Sequence, residues 1–315
     1  MTADKYEISN IDLDTVTLPG IAEGDYAVSV LRIDKIHPQI SGNKWFKLKY
    51  NLIEAKNNGY KKLLTFGGAF SNHIYAVAAA GKEFGFETIG IIRGEEYAQL
   101  NPTLAFASAC GMKLHYLDRS TYKNRNEKFF QDELKIKFEN PYVIPEGGTN
   151  QHAIKGTEEI VNFIRQDFDF IATACGTGGT IAGIISSLKG EKKVIGFPAL
   201  KGGEYLRGII ENLVYERTNN NFNNWELITD FHFGGYAKID TELINFVDEF
   251  ESINNLKLDY IYTSKMFYGI CQLLKSNCFE KGSKIVLIHT GGLQGNEGMK
   301  TKIKSILKSK LYDQF

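Results

Sequence analysis

The sequence predicts an α/β fold with two lobes, in which parallel-rich sheets are covered by helices. Three observations lead to this fold class. Short apolar runs rich in β-forming residues alternate with longer helical patterns from about residue 44 onward, as they do in stacked βαβ units. Glycine-rich stretches follow several of these runs, where the strands of open parallel sheets turn into helices. The chain has 315 residues, which is enough for two domains.

Eight short runs predict strands, because turn residues bound them and they are rich in β-branched or aromatic side chains. They span 62–66, 88–92, 113–116, 142–144, 168–174, 193–197, 260–262 and 284–289. Ten segments with a helical spacing of apolar residues predict helices. They span 45–58, 71–84, 101–109, 123–137, 152–166, 179–188, 204–214, 240–254, 264–276 and 295–307.

The chain is predicted to cross between the lobes twice, near Lys44 and near Gly148, where Pro145-Glu-Gly-Gly-Thr149 interrupts the pattern. The second lobe is then an insertion into the first. This predicts a large domain formed by 1–45 and 152–315, and a small inserted α/β domain formed by 46–151.

Composition excludes several classes of partner. Lys plus Arg and Asp plus Glu number 37 each, so no basic field is present to hold a nucleic acid or an anionic membrane. No apolar run approaches the roughly 18 residues of a membrane helix, and the N-terminal residues are polar, so we expect a cytoplasmic protein. The four cysteines have no CxxC spacing, which predicts reduced thiols and no metal site.

One lysine, Lys44, follows a Gly-Asn turn at the start of a predicted helix, in the run Ser41-Gly-Asn-Lys44. Taken alone, the pattern is more typical of a surface helix whose lysines are solvated. A lysine fixed at such a point can instead hold an aldehyde cofactor as a Schiff base. The rest of the chain has to decide between the two.

The loop after the predicted strand at 168–174 is the clearest ligand signal. It contains Gly176, Thr177, Gly178, Gly179 and Thr180. Backbone N–H groups at such a helix N-terminus bind phosphate, and the threonine hydroxyls add donors; a tight turn without a ligand is the alternative. Ile181 stands where a dinucleotide motif needs its third glycine, and no GK[ST] follows. A small phosphate-bearing cofactor therefore fits better than NAD or ATP.

Two further strand ends carry polar residues. Ser71, Asn72 and His73 follow Gly67-Gly68; they form either a helix N-cap or an anion nest suited to an α-carboxylate. Thr290 ends the last predicted strand in the run His289-Thr-Gly-Gly292. Its hydroxyl is placed to meet a ring nitrogen.

Together these residues resemble a family. Ser41-Gly-Asn-Lys44, Gly67-Gly with Ser71-Asn-His73, Pro145-Glu-Gly-Gly148, Gly176-Thr-Gly-Gly-Thr180, Tyr262 and His289-Thr-Gly-Gly292 occur in the order seen in the 1-aminocyclopropane-1-carboxylate deaminase and D-cysteine desulfhydrase family. These are pyridoxal-phosphate enzymes with a tryptophan synthase β-subunit-like fold, fold type II. The similarity runs from about Leu31 to Gly295.

The resemblance implies a role for each residue. Lys44 would form the Schiff base in the large domain and then move protons, Asn72 would contact the cofactor's ring oxygen, and the loop 176–180 would hold its phosphate. Ser71, Asn72 and His73 would bind the carboxylate of a small amino-acid substrate, with Ser71 a possible acid-base group. Tyr262 and Tyr236 would face the substrate. The resemblance also implies a homodimer.

The choice of reaction depends on the residue after Tyr262. Ring-opening deaminases of the family typically carry a glutamate there, which keeps the cofactor's ring nitrogen protonated, whereas this chain has Thr263. Together with Thr290, this residue looks like the desulfhydrase branch. We therefore expect α,β-elimination from an amino acid such as D-cysteine, with Thr263 beside the substrate, and keep ring-opening deamination as the alternative.

Four aromatic residues depart from the family pattern: Trp45, Phe46, Phe70 and Tyr75. Close to a pocket they would reshape it. They motivate a third hypothesis, a non-catalytic paralogue that binds the cofactor or amino acids without turnover. The enantiomer of the substrate is not fixed by the sequence, because it depends on which face of the cofactor the base approaches.

Overall fold

A computed structural model describes residues 8, 10–96 and 98–312, without the side chains of 310–312. The polar segment at 1–7, which entered the prediction of cellular location, lies outside these residues. Within the described part of the chain, no helix combines the length and the apolar character needed to cross a membrane.

The described residues form ten strands and eleven α-helices, joined by turns and short 3-10 segments. The strands are β1 (Leu13–Thr15), β2 (Ala27–Leu31), β3 (Lys62–Gly68), β4 (Glu87–Arg93), β5 (Lys113–Leu117), β6 (Tyr142–Ile144), β7 (Phe170–Cys175), β8 (Lys193–Pro198), β9 (Trp225–Leu227) and β10 (Lys284–Ile288). The helices are α1 (Asn43–Asn57), α2 (Asn72–Phe84), α3 (Pro102–Ala109), α4 (Arg119–Tyr122), α5 (Lys128–Lys137), α6 (Gln151–Glu158), α7 (Gly179–Leu188), α8 (Leu206–Thr218), α9 (Thr241–Asn254), α10 (Thr263–Lys275) and α11 (Asn296–Tyr312).

The strands make two sheets. The larger has the order β1-β2-β10-β7-β8-β9, and the smaller has the order β5-β4-β3-β6. Every pairing is parallel except that of β1 with β2. All four strands of the smaller sheet lie inside 46–151, and this separation supports the two-domain division, whose boundaries stay a prediction.

Both sheets are covered on both faces. Along β10, Ile285 and Leu287 point into one apolar cluster, and Val286 and Ile288 point into another on the opposite face. The smaller sheet likewise lies between two clusters. This explains why its strands are nearly continuous apolar runs, because strands buried on both faces lose the alternation of polar and apolar residues.

The strand order determines which of the glycine-rich loops lie next to one another. In the smaller sheet β3 lies between β4 and β6, so the loops after β3 and β6 leave the sheet side by side at a point where the strand order reverses. In the larger sheet β10 lies between β2 and β7. The loops after β3, β6, β7 and β10 carry the predicted glycine-rich motifs.

Some predicted elements are wrong in type or extent. Residues 260–262 form a turn rather than a strand, because the Asp259 carboxylate accepts the backbone N–H groups of Ile261 and Tyr262 at 3.0 and 2.8 Å. The predicted helix at 123–137 is a 3-10 segment followed by α5. β1, β2 and β9 were not predicted; two of them precede residue 44, and β9 has three residues.

Candidate active site

A single cavity of about 770 Å³ gathers most of the predicted site residues. It lies among the loops that follow the parallel strands of both sheets. Twelve of the thirteen predicted residues line it, Thr263 being the exception: Lys44, Ser71, Asn72, His73, Gly176, Thr177, Gly178, Gly179, Thr180, Tyr236, Tyr262 and Thr290.

Lys44 is held by a close contact between two loops. Gly42 has φ 65°, and a Cβ built on it would lie 1.9 Å from the carbonyl oxygen of Thr290. Only glycine allows this approach, which brings the first turn of α1 against the end of β10. Lys44 Nζ donates to Asn43 Oδ1 at 2.9 Å, and Asn43 Nδ2 donates to Thr180 Oγ1 at 2.9 Å. Asn43 thus connects the lysine to the loop at 176–180.

The surroundings of Lys44 favour its neutral form. Burial lowers the pKa of its amine to about 8, and the negative charge of Asp259 opposes this shift. An appreciable fraction of Lys44 is therefore unprotonated near neutral pH, as a lysine that acts as a nucleophile or base requires. The solvated surface lysine that the sequence left open is excluded.

The loop at 176–180 has a cationic partner that the sequence analysis missed. Lys47 is buried, and its Nζ donates to Gly147 O and Thr149 Oγ1 at 2.9 Å and to Thr177 Oγ1 at 3.3 Å. Burial and then the charge of Lys44 hold the pKa of Lys47 well below its ordinary value. Lys47 follows Lys44 by three residues, so both lysines lie on one side of α1. This spacing is the feature of the sequence that predicts Lys47 as a second lysine of the site.

These groups fit a bound phosphate. α7 begins at this loop, and its first N–H groups have no partner within the helix. A Cβ on Gly179 would lie 2.9 Å from Thr149 Oγ1 and 3.0 Å from Lys47 Nζ, so the glycine keeps the cradle open. An ammonium group, two hydroxyls and a helix N-terminus converge on one point, and this donor set suits a dianion.

Ser71 acts as the N-cap of α2. Its Oγ accepts the N–H groups of His73 and Ile74 at 3.2 and 3.3 Å. The capping role weighed from the sequence is confirmed. Its hydroxyl proton stays available to a substrate oxygen, and the carboxylate role stays a prediction.

His73 is bonded to β3. Thr65 donates its hydroxyl proton to Ile144 O at 2.9 Å, so its oxygen accepts from His73 Nε2 at 2.8 Å. Nδ1 has no hydrogen-bond partner among the described residues. Burial, with the charge of Lys44, holds the pKa of His73 well below its ordinary value. The ring lines the cavity, and its contact with the substrate carboxylate stays a prediction.

Asn72 is oriented by a residue that the sequence analysis did not single out. Gln294 Nε2 donates to Asn72 Oδ1 at 3.0 Å. This bond leaves the Asn72 amide N–H groups as donors toward the cavity. Thr290 lines the cavity as well and is 8% exposed.

The two predicted tyrosines lie together. The rings of Tyr236 and Tyr262 are 6.0 Å apart between centroids, at an angle of 70°. Burial raises the pKa of both hydroxyls. Both therefore stay protonated at neutral pH and can donate to a substrate.

The prediction for Thr263 is wrong. Its side chain is fully buried, its Oγ1 donates to Asp259 Oδ2 at 2.5 Å, and it does not line the cavity. Its N–H is bonded to the same carboxylate at 2.8 Å. Thr263 therefore fixes the turn that presents Tyr262 and does not touch the substrate.

Three of the four aromatic departures do not line the cavity. Trp45 stacks with His37, Phe46 packs on Phe163, and Tyr75 stacks on Phe106 with centroids 3.8 Å apart. Phe70 lines the cavity and is 47% exposed. The expected reshaping of the pocket is thus limited to Phe70.

Comparison with known proteins agrees with this geometry. A family model described as pyridoxal-phosphate dependent enzyme matches residues 15–291. A bifunctional D-cysteine desulfhydrase/1-aminocyclopropane-1-carboxylate deaminase of Arabidopsis thaliana is 31% identical over 305 residues, covering 88% of this chain and 75% of its own. A D-cysteine desulfhydrase of Salmonella newport is 22% identical over 285 residues, covering 83% and 86%.

A crystal structure of an ACC deaminase homologue is 30% identical, with a TM-score of 0.84, and covers 95% of this chain and 94% of its own. The predicted fold class and family resemblance are confirmed. The chain belongs to the family of pyridoxal-phosphate dependent enzymes.

Proposed function

We propose that this enzyme is a lyase that performs α,β-elimination on a small amino acid, as a D-cysteine desulfhydrase does. The observation that carries the proposal is the arrangement of Lys44 beside the cradle formed by Lys47, Thr149, Thr177 and the α7 N-terminus. From D-cysteine the products are pyruvate, ammonium and sulfide, with one water consumed.

The cavity residues fit pyridoxal phosphate. The cradle at 176–180 with Lys47 would hold its phosphate, and Lys44 would bind its aldehyde carbon. The free Asn72 amide N–H would contact the ring oxygen, and the Thr290 hydroxyl would contact the ring nitrogen. When bound, the cofactor accepts the electrons released from a broken bond at the substrate's Cα.

The protein's own groups supply binding and proton transfer. Lys44, with a pKa of about 8, removes the α-proton and later returns one. Ser71 and Asn72 bind the α-carboxylate, and the hydroxyls of Tyr236 and Tyr262 donate to the departing group. Each is within a cavity walled by loops of both sheets, which limits water around the reacting atoms.

The hydroxyl and carboxylate groups available near the cofactor site favour elimination over ring opening. Where ring-opening deaminases carry a glutamate, this chain has Thr263, which is bonded to Asp259 and turned away. Of the described residues that line the cavity, Glu146 is the only acid. A Thr290 hydroxyl at the ring nitrogen would leave the cofactor a weaker electron sink than a carboxylate would, and this suffices when thiolate leaves after loss of the α-proton.

The test is product analysis. Pure protein reconstituted with pyridoxal phosphate should absorb visible light and release pyruvate from D-cysteine; Lys44→Ala should lose both, whereas Lys56→Ala, at the exposed end of α1, should keep both. Release of 2-oxobutyrate from 1-aminocyclopropane-1-carboxylate without pyruvate from D-cysteine would favour the deaminase. Spectral shifts without product from a panel of D- and L-amino acids would favour the non-catalytic paralogue.

Location in the cytoplasm and assembly as a homodimer belong to the same proposal. All four cysteines are free thiols, which suits a reducing compartment. Cell fractionation and light scattering on the purified protein test the two statements.

A further inference from the structure

Three arginines line the cavity on its solvent side: Arg93 at the end of β4, Arg119 in α4 and Arg125 in the 3-10 segment that follows. We call them the arginine mouth. Arg93 and Arg119 are exposed and Arg125 is half-buried. None of the proposed catalytic steps uses them.

Arg93 lies close to the proposed carboxylate site. It pairs with Gly68 across the β3–β4 ladder, and a Cβ on Gly68 would lie 3.5 Å from Arg93 Nη2. Gly68 is three residues before Ser71. The Arg93 guanidinium thus lies beside the start of the loop that leads to Ser71, and both residues line the same cavity.

Tyr122 holds two of the arginines in place. The guanidinium carbons of Arg93 and Arg125 lie 5.7 and 5.1 Å from its ring centroid, so they are at most about 11 Å apart. Stacking on an aromatic face fixes the plane of a guanidinium. The Tyr122 hydroxyl in turn donates to Glu146 Oε1 at 3.0 Å.

The charge of this group is not balanced. Glu146 pairs with Arg125 at 2.6 Å. Among the described residues, Arg93 and Arg119 form no ion pair with a carboxylate. Burial raises the pKa of Tyr236 across the cavity, and the charge of Arg93 acts against this shift, so the positive field extends over the substrate space. Two unpaired guanidinium groups at a cleft attract and orient anions.

We infer that the physiological substrate is an amino acid whose side chain ends in an anionic group, a carboxylate, sulfonate or phosphate, and that the arginine mouth binds this group. The inference rests on the proposed function, because it assumes that the α-carboxylate lies at Ser71 and the α-amino group at Lys44. It assigns substrate selection to Arg93 first, with Arg119 and Arg125 in support.

The first experiment compares two substrates that differ in charge alone, S-carboxymethylcysteine and S-carbamoylmethylcysteine, each as D and L forms. In both, the α-proton is removed and the Cβ–S bond breaks, giving pyruvate, ammonium and thioglycolate or its amide. The wild type should prefer the acid by at least about tenfold in kcat/KM, chiefly through KM. In Arg93→Gln the ratio should fall toward one, whereas Arg165→Gln, an exposed arginine away from the cavity, should keep it.

The second experiment measures binding without turnover. Holoenzyme is titrated with glutamate and with glutamine of each configuration, by calorimetry. Glutamate should bind at least about tenfold more tightly, and Arg93→Gln should remove the difference. Circular dichroism of Arg93→Gln and Arg165→Gln checks that both variants are folded.

The outcomes separate the two proposals. Pyruvate from D-cysteine together with equal values for the acid and the amide would overturn the arginine mouth and leave the elimination intact. Absence of pyruvate from every compound would contradict the elimination, and the glutamate titration would then decide the arginine mouth alone. Equal affinity for glutamate and glutamine would overturn it.

Discussion

The inner wall of the cavity and the arginine mouth both carry basic side chains, but they are built differently. The inner wall consists of Lys44, Lys47 and the loop at 176–180, whose polar groups are buried and bonded to one another. The arginine mouth consists of long side chains supported by the Tyr122 ring and one acid. Buried groups in a fixed network can position reacting atoms, and exposed cations can select among ligands. The difference assigns the shared chemistry to the inner wall and substrate choice to the mouth.

The largest effect should come from breaking the inner wall at Gly42. In Gly42→Ala the new methyl group meets the Thr290 carbonyl at 1.9 Å, so α1 or the end of β10 must move. We expect a loss of about 4 kcal/mol or more in the free energy of unfolding, measured with denaturant. Gly24 also has positive φ, 86°, with nothing within 4 Å of a Cβ. Gly24→Ala should therefore show backbone strain alone; equal losses in the two variants would exclude the close contact as the cause.

The phosphate cradle can be tested without altering Lys44. Lys47→Met removes a charge-assisted donor of about 1.5–3 kcal/mol, so the affinity for pyridoxal phosphate should fall about 10- to 100-fold. Titration of cofactor-free protein measures this, and pyridoxal without its phosphate should bind both proteins alike. Lys49→Met, whose ammonium pairs with Glu159 outside the cavity, is the matched control. A parallel loss of affinity for pyridoxal would argue against a phosphate site at Lys47.

The pKa of Lys44 predicts a pH-dependent stability for the cofactor-free protein. Its folded-state pKa of about 8 lies below the ordinary 10.5, so between these values the unfolded chain binds more protons and stability rises with pH. At pH 7 the full penalty for the buried charge is present, and Lys44→Met should be more stable by about 3 kcal/mol. The advantage should shrink between pH 8 and 10.5. Lys265 also has a pKa of about 8, but both proteins contain it, so its contribution cancels in their difference; a difference independent of pH would contradict the lowered pKa of Lys44.

The smallest effect should come from the mouth. Glu146→Gln removes the acid that pairs with Arg125 and keeps an acceptor for Tyr122. An exposed ion pair is worth about 0.2–1 kcal/mol, so glutamate should bind roughly two- to fivefold more tightly and with a steeper dependence on salt. Glu159→Gln, away from the cavity, should change neither. Weaker glutamate binding in Glu146→Gln would mean that Glu146 positions Arg125 more than it neutralises it.

Loops and caps of the site could be predicted from the sequence more readily than side-chain contacts. The loop at 176–180 and the Ser71 cap follow from glycines and capping residues whose preferences act within a few positions. Thr263 was assigned to the wrong place because its partner, Asp259, sits one turn earlier and redirects the hydroxyl. The bond between His73 and Thr65, on the preceding strand, and the burial that lowers the pKa of the ring could not be predicted from the local pattern either.

The sequence by itself determined the fold class and the cofactor of the family, and it predicted the lysine that would hold this cofactor. These depend on local patterns: apolar runs that form strands, glycines that open loops, and a turn that starts a helix at Lys44. Only the tertiary structure decided that Lys47 completes the cradle with Thr149 and that three arginines share one opening. Such groups meet because strand order brings distant segments to one edge, and spacing along the chain carries no record of that proximity.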